Sequence, residues 1–126
     1  MSSRILIVDD EAGLRETVKG FLEDRGYAVI AACDGDDGLN KFDAESPDLV
    51  LLDLKMPKKD GYELLKHIRE DKRWVPVIII SALADPKDIF KGYEYEADYY
   101  LTKPVDLENL LNSVQIMLSL APLRRK

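Results

Sequence analysis

The sequence has one cysteine, one histidine and one tryptophan among its 126 residues, and it has no long hydrophobic run. A single cysteine, Cys33, cannot form an internal disulfide, which excludes a disulfide-stapled secreted domain. The only histidine, His67, has no partner at metal-ligand spacing, and we interpret it as a surface residue. The first apolar stretch, Ile5 to Val8, is far shorter than a secretory signal core or a membrane span. These absences predict a cytoplasmic protein that is not embedded in a membrane.

Basic residues are fewer than acidic residues. Eighteen lysines and arginines stand against 24 aspartates and glutamates, which gives a formal net charge of −6. An acidic chain repels a phosphate backbone, so direct nucleic-acid binding is not expected. Hydrophobic residues make up 46% of the chain, enough for one buried core at this length. We predict a single domain over residues 1–126, with a core at about 4–120 and a short basic tail at 121–126.

Short aliphatic runs recur along the chain at the spacing of repeated strand–helix units. None of the first four alternates between apolar and polar residues, which is typical of strands buried on both faces of a parallel sheet. A fifth, shorter run is aromatic. The five runs are Ile5-Leu6-Ile7-Val8, Val29-Ile30-Ala31-Ala32, Leu49-Val50-Leu51-Leu52, Val77-Ile78-Ile79-Ile80 and Tyr99-Tyr100-Leu101.

The predicted strands begin near residues 4, 27, 48, 76 and 98. Between them lie segments whose apolar residues have the spacing of a helix. Asp10 can cap the first helix and Gly26 can take the left-handed position after its end. Asp106 can cap the last helix, which we expect to end before Pro122. The pattern predicts an α/β fold, a (βα)5 doubly wound five-stranded parallel sheet. The fourth helical segment, from Pro86 to Tyr95, has a narrow apolar stripe, so we expect it to dock loosely and to be a candidate moving part.

Polar side chains follow four of the five predicted strands. The carboxyl ends of parallel strands meet at one edge of the sheet, where ligands bind. Crowded carboxylates repel one another unless a cation lies among them, and oxygen ligands alone favour a hard cation such as Mg²⁺. A lysine at the same edge adds a second positive charge. The residues are Asp9, Asp10 and Glu11 after strand 1, Asp53 after strand 3, Ser81 after strand 4 and Lys103 after strand 5.

These motifs resemble, in order and spacing, those of response-regulator receiver domains, over about residues 4 to 120. The resemblance implies the flavodoxin-like strand order 2-1-3-4-5. It also implies a function in two-component signal transduction, in which the chain accepts a phosphoryl group from a phosphohistidine. The motifs are Ile5-Leu6-Ile7-Val8-Asp9-Asp10-Glu11, the run from Pro47 to Gly61 that contains Asp53, Ser81-Ala82 and Leu101-Thr102-Lys103-Pro104.

The resemblance assigns the phosphoryl and metal sites. Asp53 is expected to be the phospho-acceptor and, with its neighbours, to hold Mg²⁺. Asp10 is expected to bind the metal directly, Asp9 through its outer sphere, and Lys55 through its backbone carbonyl. An aspartate is a poor nucleophile in water, so the metal and a lysine would help mainly by positioning and by neutralising phosphoryl charge.

Further residues are expected to stabilise the phosphoryl group and report its presence. Ser81 would hydrogen-bond the phosphoryl group and Lys103 would pair with its oxygens. Tyr100 would change rotamer as a switch, although a core tyrosine is an equally good interpretation of that position. The Lys103–Pro104 bond is cis in such domains. One departure is Glu96, where the family usually has glycine; a glutamate would resist a left-handed conformation, so we expect a differently shaped loop there.

The expected partners are a sensor histidine kinase or a histidine phosphotransfer protein. A downstream protein or a second copy of the chain would bind the face formed by helix 4, strand 5 and helix 5. No enzymatic activity is expected beyond the chain's own phosphorylation and slow autodephosphorylation. The chain is alternatively a receiver cut from a multidomain transcriptional regulator. A Mg²⁺-dependent aspartyl phosphohydrolase is a competing class, although such enzymes place a second acid where this sequence has Lys55.

Overall fold

Five strands alternate with five helices in the computed structural model, which describes residues 2–54 and 61–124. Each strand begins within one residue of its predicted start. The strands are β1 (Arg4–Val8), β2 (Ala28–Ala32), β3 (Leu49–Leu52), β4 (Val77–Ser81) and β5 (Tyr99–Thr102). The helices are α1 (Ala12–Glu23), α2 (Gly35–Glu45), α3 (Gly61–Arg69), α4 (Pro86–Glu94) and α5 (Leu107–Arg124).

All strand pairs are parallel, and the sheet order is β2-β1-β3-β4-β5, which confirms the predicted fold and the order implied by the resemblance. Alternate residues of β1 enter opposite cores. Ile5 and Ile7 pack with apolar residues of α1 and α5 on one face. Leu6 and Val8 pack with α2 and α3 on the other. Because both faces are covered, a strand needs apolar residues at every position, which explains the lack of alternation.

The ends of α1 and α5 confirm some predicted caps and correct others. The N-cap of α1 is Glu11 rather than Asp10, and its side chain makes no capping hydrogen bond. Gly26 does adopt a positive φ of 92° after the helix. Asp106 caps α5, since its Oδ1 accepts hydrogen bonds from the backbone N–H groups of Glu108 (2.9 Å) and Asn109 (3.1 Å).

Helix α5 continues to Arg124 with Pro122 inside it, so the prediction that the helix ends before Pro122 is wrong. Residues 121–124 of the predicted tail are therefore helical. A proline so close to the C-terminus of a helix removes one backbone hydrogen bond without interrupting a long ladder. Ala121, directly before it, is buried.

Helix α4 is attached to the sheet through a narrow contact, as its thin apolar stripe predicts. Gly92 is its only fully buried residue. A Cβ atom at Gly92 would lie 3.0 Å from Ile79 Cδ1 and 3.1 Å from Tyr100 Cδ2, so glycine lets the helix approach the sheet. Phe90 is 65% exposed. The role of α4 as a moving part stays a prediction.

Glu96 adopts the left-handed conformation that we expected it to resist, with a φ of 68°. Hydrogen bonds hold this turn in place. The Glu96 N–H donates to the carbonyl of Tyr93 (2.9 Å), and the Nε of Arg69 donates to the carbonyl of Glu96 (2.9 Å). Such tertiary contacts offset the roughly 1–2 kcal/mol that the left-handed region costs a residue with a Cβ.

No helix within residues 2–54 and 61–124 combines the length and the hydropathy that a membrane span requires.

Candidate functional site

Backbone hydrogen bonds extend the sheet beyond the strand ends and thereby position the predicted site residues. The N–H of Asp9 donates to the carbonyl of Ala32 (3.1 Å), and the N–H of Asp53 donates to the carbonyl of Val8 (2.9 Å). At the neighbouring edge, the N–H of Lys103 donates to the carbonyl of Ser81 (2.8 Å). The side chains at these positions are thus held by the rigid sheet rather than by loops, which suits a site that must align reacting groups.

Lys103 lies at the centre of the site with three carboxylates around its ammonium group. Its Nζ is 2.6 Å from Glu11 Oε1, 3.0 Å from Asp9 Oδ2 and 3.3 Å from Asp53 Oδ2. Burial by itself lowers the pKa of Lys103, but the hydrogen bonds to Glu11 and Asp9 and the charge of Asp53 outweigh burial and raise that pKa well above its ordinary value. The Lys103–Pro104 peptide is cis, as expected.

Asp9 is buried and its negative charge is incompletely compensated. Its Oδ1 accepts a hydrogen bond from the Glu11 N–H (2.9 Å), and the guanidinium of Arg15 donates to the Asp9 carbonyl (2.7 Å). Burial nevertheless raises the pKa of the Asp9 carboxyl above its ordinary value, because the hydrogen bonds from Glu11 and Lys103 offset it only in part. The site therefore has a deficit of positive charge that a bound cation would correct.

Three carboxylates fit the donor set of a hard metal ion. Oxygen atoms of Asp9, Asp10 and Asp53 lie within 4.8 Å of one another, and Asp10 is exposed while the other two are buried. Oxygen-only ligands with one side open to water are the arrangement that Mg²⁺ prefers, since it retains several water ligands. The fourth predicted ligand, the backbone carbonyl of Lys55, lies outside the described residues.

Ser81 and Tyr100 are joined through the backbone of Leu83 in the β4–α4 loop. The Oγ of the buried Ser81 accepts a hydrogen bond from the Leu83 N–H (3.1 Å), and the Tyr100 hydroxyl donates to the Leu83 carbonyl (2.6 Å). Burial raises the pKa of the Tyr100 hydroxyl above its ordinary value. The Tyr100 ring is buried, so the structure places it inward. Whether it changes rotamer stays a prediction.

Gly61 brings the start of α3 against the backbone that follows Asp53. Its N–H donates to the carbonyl of Leu54 (3.2 Å). A Cβ atom at Gly61 would lie 2.6 Å from the Cα of Leu54 and 2.7 Å from the carbonyl oxygen of Asp53. Both neighbours are backbone atoms, so no side chain fits here without a shift of the main chain, and α3 directly supports the site.

The sequence did not predict the contacts of two residues at this site. Glu11 was grouped with the acidic residues after strand 1, but its contact with Lys103 was not predicted, although the rule that strand ends meet could have suggested it. The contact of Arg15 with the Asp9 carbonyl has no sequence signal, because a helical arginine one turn after the acids is not distinctive. His67 is half-exposed, and its Nε2 lies 2.8 Å from Asp43 Oδ1 of the neighbouring helix, a contact the sequence alone did not indicate.

We expect Asp9→Asn to stabilise the metal-free protein at neutral pH by about 1 kcal/mol, the size of a typical single stabilising substitution, because functional sites are often kept at a cost in stability. The pKa of Asp9 is raised in the folded chain, so the folded state favours the protonated carboxyl. The stability that this protonated form contributes is fully present below the unfolded-state pKa and is lost as the pH rises through the folded-state pKa. Urea unfolding in EDTA would measure the difference, which should narrow as the pH falls and the native carboxyl becomes protonated. A variant less stable than the parent at neutral pH would contradict the prediction.

The sequence matches the family described as the response regulator receiver domain over residues 5–115. It is 43% identical over 115 residues to a probable transcriptional regulator, ycf27, of Guillardia theta, covering 91% of this chain and 45% of that protein. It is 41% identical over 104 residues to the alkaline phosphatase synthesis transcriptional regulatory protein PhoP of Bacillus subtilis, covering 82% and 43%. The chain spans about half the length of the curated relatives it matches.

Solved structures agree over nearly the whole chain. A CheY-like response regulator receiver domain protein from Methanospirillum hungatei JF-1 is 31% identical with a TM-score of 0.89, covering 98% of this chain and 99% of that one. The signal receiver domain of a putative Luxo repressor protein from Vibrio parahaemolyticus is 27% identical with a TM-score of 0.91, covering 98% and 95%.

Proposed function

The chain belongs to the response regulator receiver family, and from this premise we propose that Asp53 is the residue that accepts the phosphoryl group. Receivers of this family act in two-component signal transduction and are phosphorylated by histidine kinases. The observation that carries the assignment is the position of the Asp53 carboxylate, which is buried beside Asp9 and Asp10 and 3.3 Å from the ammonium group of Lys103.

The proposed transfer is an in-line displacement at phosphorus. A carboxylate oxygen of Asp53 forms the new O–P bond, the N–P bond of the partner's phosphohistidine breaks, and its electron pair remains on the imidazole nitrogen. Lys103 neutralises part of the phosphoryl charge, because its ammonium group already lies against the reacting carboxylate. Asp9, Asp10 and Asp53 would hold Mg²⁺, which supplies further neutralisation of that charge.

We infer that Leu83 couples the phosphoryl group to α4. Ser81 and Tyr100 bind opposite polar groups of the Leu83 backbone, and α4 begins three residues later at Pro86. If Ser81 turns towards a phosphoryl oxygen, the Leu83 N–H loses its acceptor and the loop is free to rearrange. Because Gly92 is the only buried residue of α4, this is the helix that would respond at least cost.

The partners we propose are a histidine kinase or phosphotransfer protein on the input side and a protein on the output side. The face formed by α4, β5 and α5 is the proposed output surface, or a surface for a second copy of the chain. Its support is a set of exposed apolar side chains: Phe90 and Tyr93 on α4, Tyr99 on β5 and Ile116 on α5.

Intact mass after incubation with acetyl phosphate tests the assignment. We expect one phosphoryl adduct that forms with Mg²⁺, is absent in EDTA and maps by peptide analysis to Asp53. An adduct at another residue, or one that forms equally without metal, would contradict the proposal. A phosphorylated histidine kinase serves as a second phosphoryl donor. The absence of an adduct therefore contradicts the proposal only if neither acetyl phosphate nor the kinase phosphorylates Asp53. Rapid release of phosphate without an accumulated adduct would instead support the phosphohydrolase.

A further inference from the structure

In the unphosphorylated chain, the ammonium group of Lys103 is surrounded by as many carboxylates as it has donors. An ammonium has three N–H donors, and Lys103 has three carboxylate neighbours, those of Glu11, Asp9 and Asp53. In the proposed function, two of these carboxylates also have another role. Asp9 belongs to the candidate metal set, and Asp53 accepts the phosphoryl group. Glu11 is the only one of the three without such a second role.

Glu11 also differs from Asp9 and Asp53 in the exposure of its side chain. Its side chain is 60% exposed, whereas those of Asp9 and Asp53 are buried. Its backbone is fixed at both polar groups, because its N–H donates to Asp9 Oδ1 (2.9 Å) and its carbonyl accepts from the Arg15 N–H (3.0 Å). As the N-cap of α1, its side chain makes no capping hydrogen bond, which leaves its carboxylate available to Lys103. A rigid backbone thus carries a side chain that reaches the mouth of the site.

We propose that Glu11 is a positioning residue that draws Lys103 towards the mouth of the site, so that Asp9 and Asp53 are available for Mg²⁺. The inference rests on the proposed function. Two cations cannot share the same carboxylates without strong repulsion, so Lys103 has to withdraw when a dication binds. Glu11 already makes its shortest contact, 2.6 Å, and lies on the open side, where it lines a cavity of about 470 Å³ with Lys103 and Pro104. Without Glu11, Lys103 remains on the metal ligands and competes with the ion.

Calorimetric titration with Mg²⁺ alone tests this inference on the unphosphorylated chain. We expect Glu11→Gln to weaken Mg²⁺ binding about three- to fivefold, the upper part of the range set by loss of a partly exposed ion pair. Glu11→Asp keeps the charge but is one methylene shorter, so it should lose the contact and weaken binding to a similar degree. Glu16→Gln, the same charge change at an exposed position of α1, is the matched control and should change affinity less than about twofold.

Kinetics with acetyl phosphate supply the second readout. The Mg²⁺ concentration for half-maximal phosphorylation should rise in both Glu11 variants, while the rate at saturating Mg²⁺ stays close to that of the parent. Circular dichroism would establish that every variant is folded.

The outcomes separate this inference from the proposed function. If the parent chain binds Mg²⁺, Glu11→Gln weakens that binding and Glu11→Asp does not, the charge of Glu11 rather than its contact with Lys103 is responsible, and the positioning role is wrong. If both Glu11 variants bind like the parent, the role is equally wrong. If the parent itself binds no Mg²⁺, the proposed function fails first, and the inference fails with it.

Discussion

Asp53→Asn is expected to abolish the phosphoryl adduct, lowering its yield at least about 100-fold with acetyl phosphate and Mg²⁺. An amide nitrogen is not a nucleophile at neutral pH, and the amide oxygen lacks the charge of the carboxylate. Asparagine has almost the same shape as aspartate, so the substitution leaves the buried position filled and its oxygen can still accept a hydrogen bond from Lys103. Intact mass spectrometry of both proteins under identical conditions measures the change.

The matched control is Asp24→Asn, the same chemical change at an exposed position just after α1. It should form the adduct to the same extent as the parent chain, because Asp24 is remote from the sheet edge that carries the site. Circular dichroism spectra of the two variants should coincide. Persistence of a metal-dependent adduct in Asp53→Asn would mean that another carboxylate, Asp9 or Asp10, is the acceptor.

Arg69→Ala is expected to destabilise the fold by about 3 kcal/mol, the lower end of the cost of removing one partner of a buried ion pair, because this pair is largely but not fully buried. Arg69 pairs with Asp98, and both side chains are only 12% exposed. The guanidinium also donates to the carbonyls of Val75 (2.7 Å) and Glu96 (2.9 Å), which would lose these donors. It thereby joins the end of α3 to the starts of β4 and β5. The Asp98 carboxylate would still accept a hydrogen bond from the Val77 N–H (2.7 Å) but would lose the positive charge of Arg69 beside it.

Urea unfolding followed by circular dichroism measures this loss of free energy. Arg25→Ala is the matched control: Arg25 is exposed at the end of α1, where it stacks over the Phe21 ring and donates one hydrogen bond to the Phe21 carbonyl (3.2 Å). We expect the control to cost less than about 1 kcal/mol. A cost for Arg69→Ala as small as that of the control would show that the pair contributes little to stability.

The elements and the edge of the site could be predicted from the sequence because both depend on local patterns. A strand covered on both faces must be apolar at each position, so the run from Leu49 to Leu52 identifies β3 without reference to any neighbour. The residue after such a run lies at the carboxyl edge of the sheet, which is why Asp9 and Asp53 could be predicted to meet before any contact was known.

Interactions between residues distant in the sequence could not be predicted from local patterns. The left-handed backbone of Glu96 depends on hydrogen bonds, one of them from Arg69, 27 positions away, and intrinsic preference alone argued against it. The continuation of α5 through Pro122 was missed because a proline in the last turn removes only one backbone hydrogen bond, and the sequence does not show that Ala121 beside it is buried. Helix α1 begins one residue later than the capping preference of Asp10 suggests, and its N-cap, Glu11, donates its N–H to the side chain of Asp9 instead of capping the helix with its own.

The sequence by itself determined the number and the order of the elements, the two-faced burial of the sheet and the types of residue at its carboxyl edge. Those properties follow from the spacing of apolar and polar residues along a single chain. The tertiary structure alone decided how one ammonium group is shared among Asp9, Glu11 and Asp53, and how Leu83 joins Ser81 to Tyr100. The strength of an ion pair or hydrogen bond depends on distances of a few ångströms and on burial, and both are set only when strands remote in sequence pack side by side.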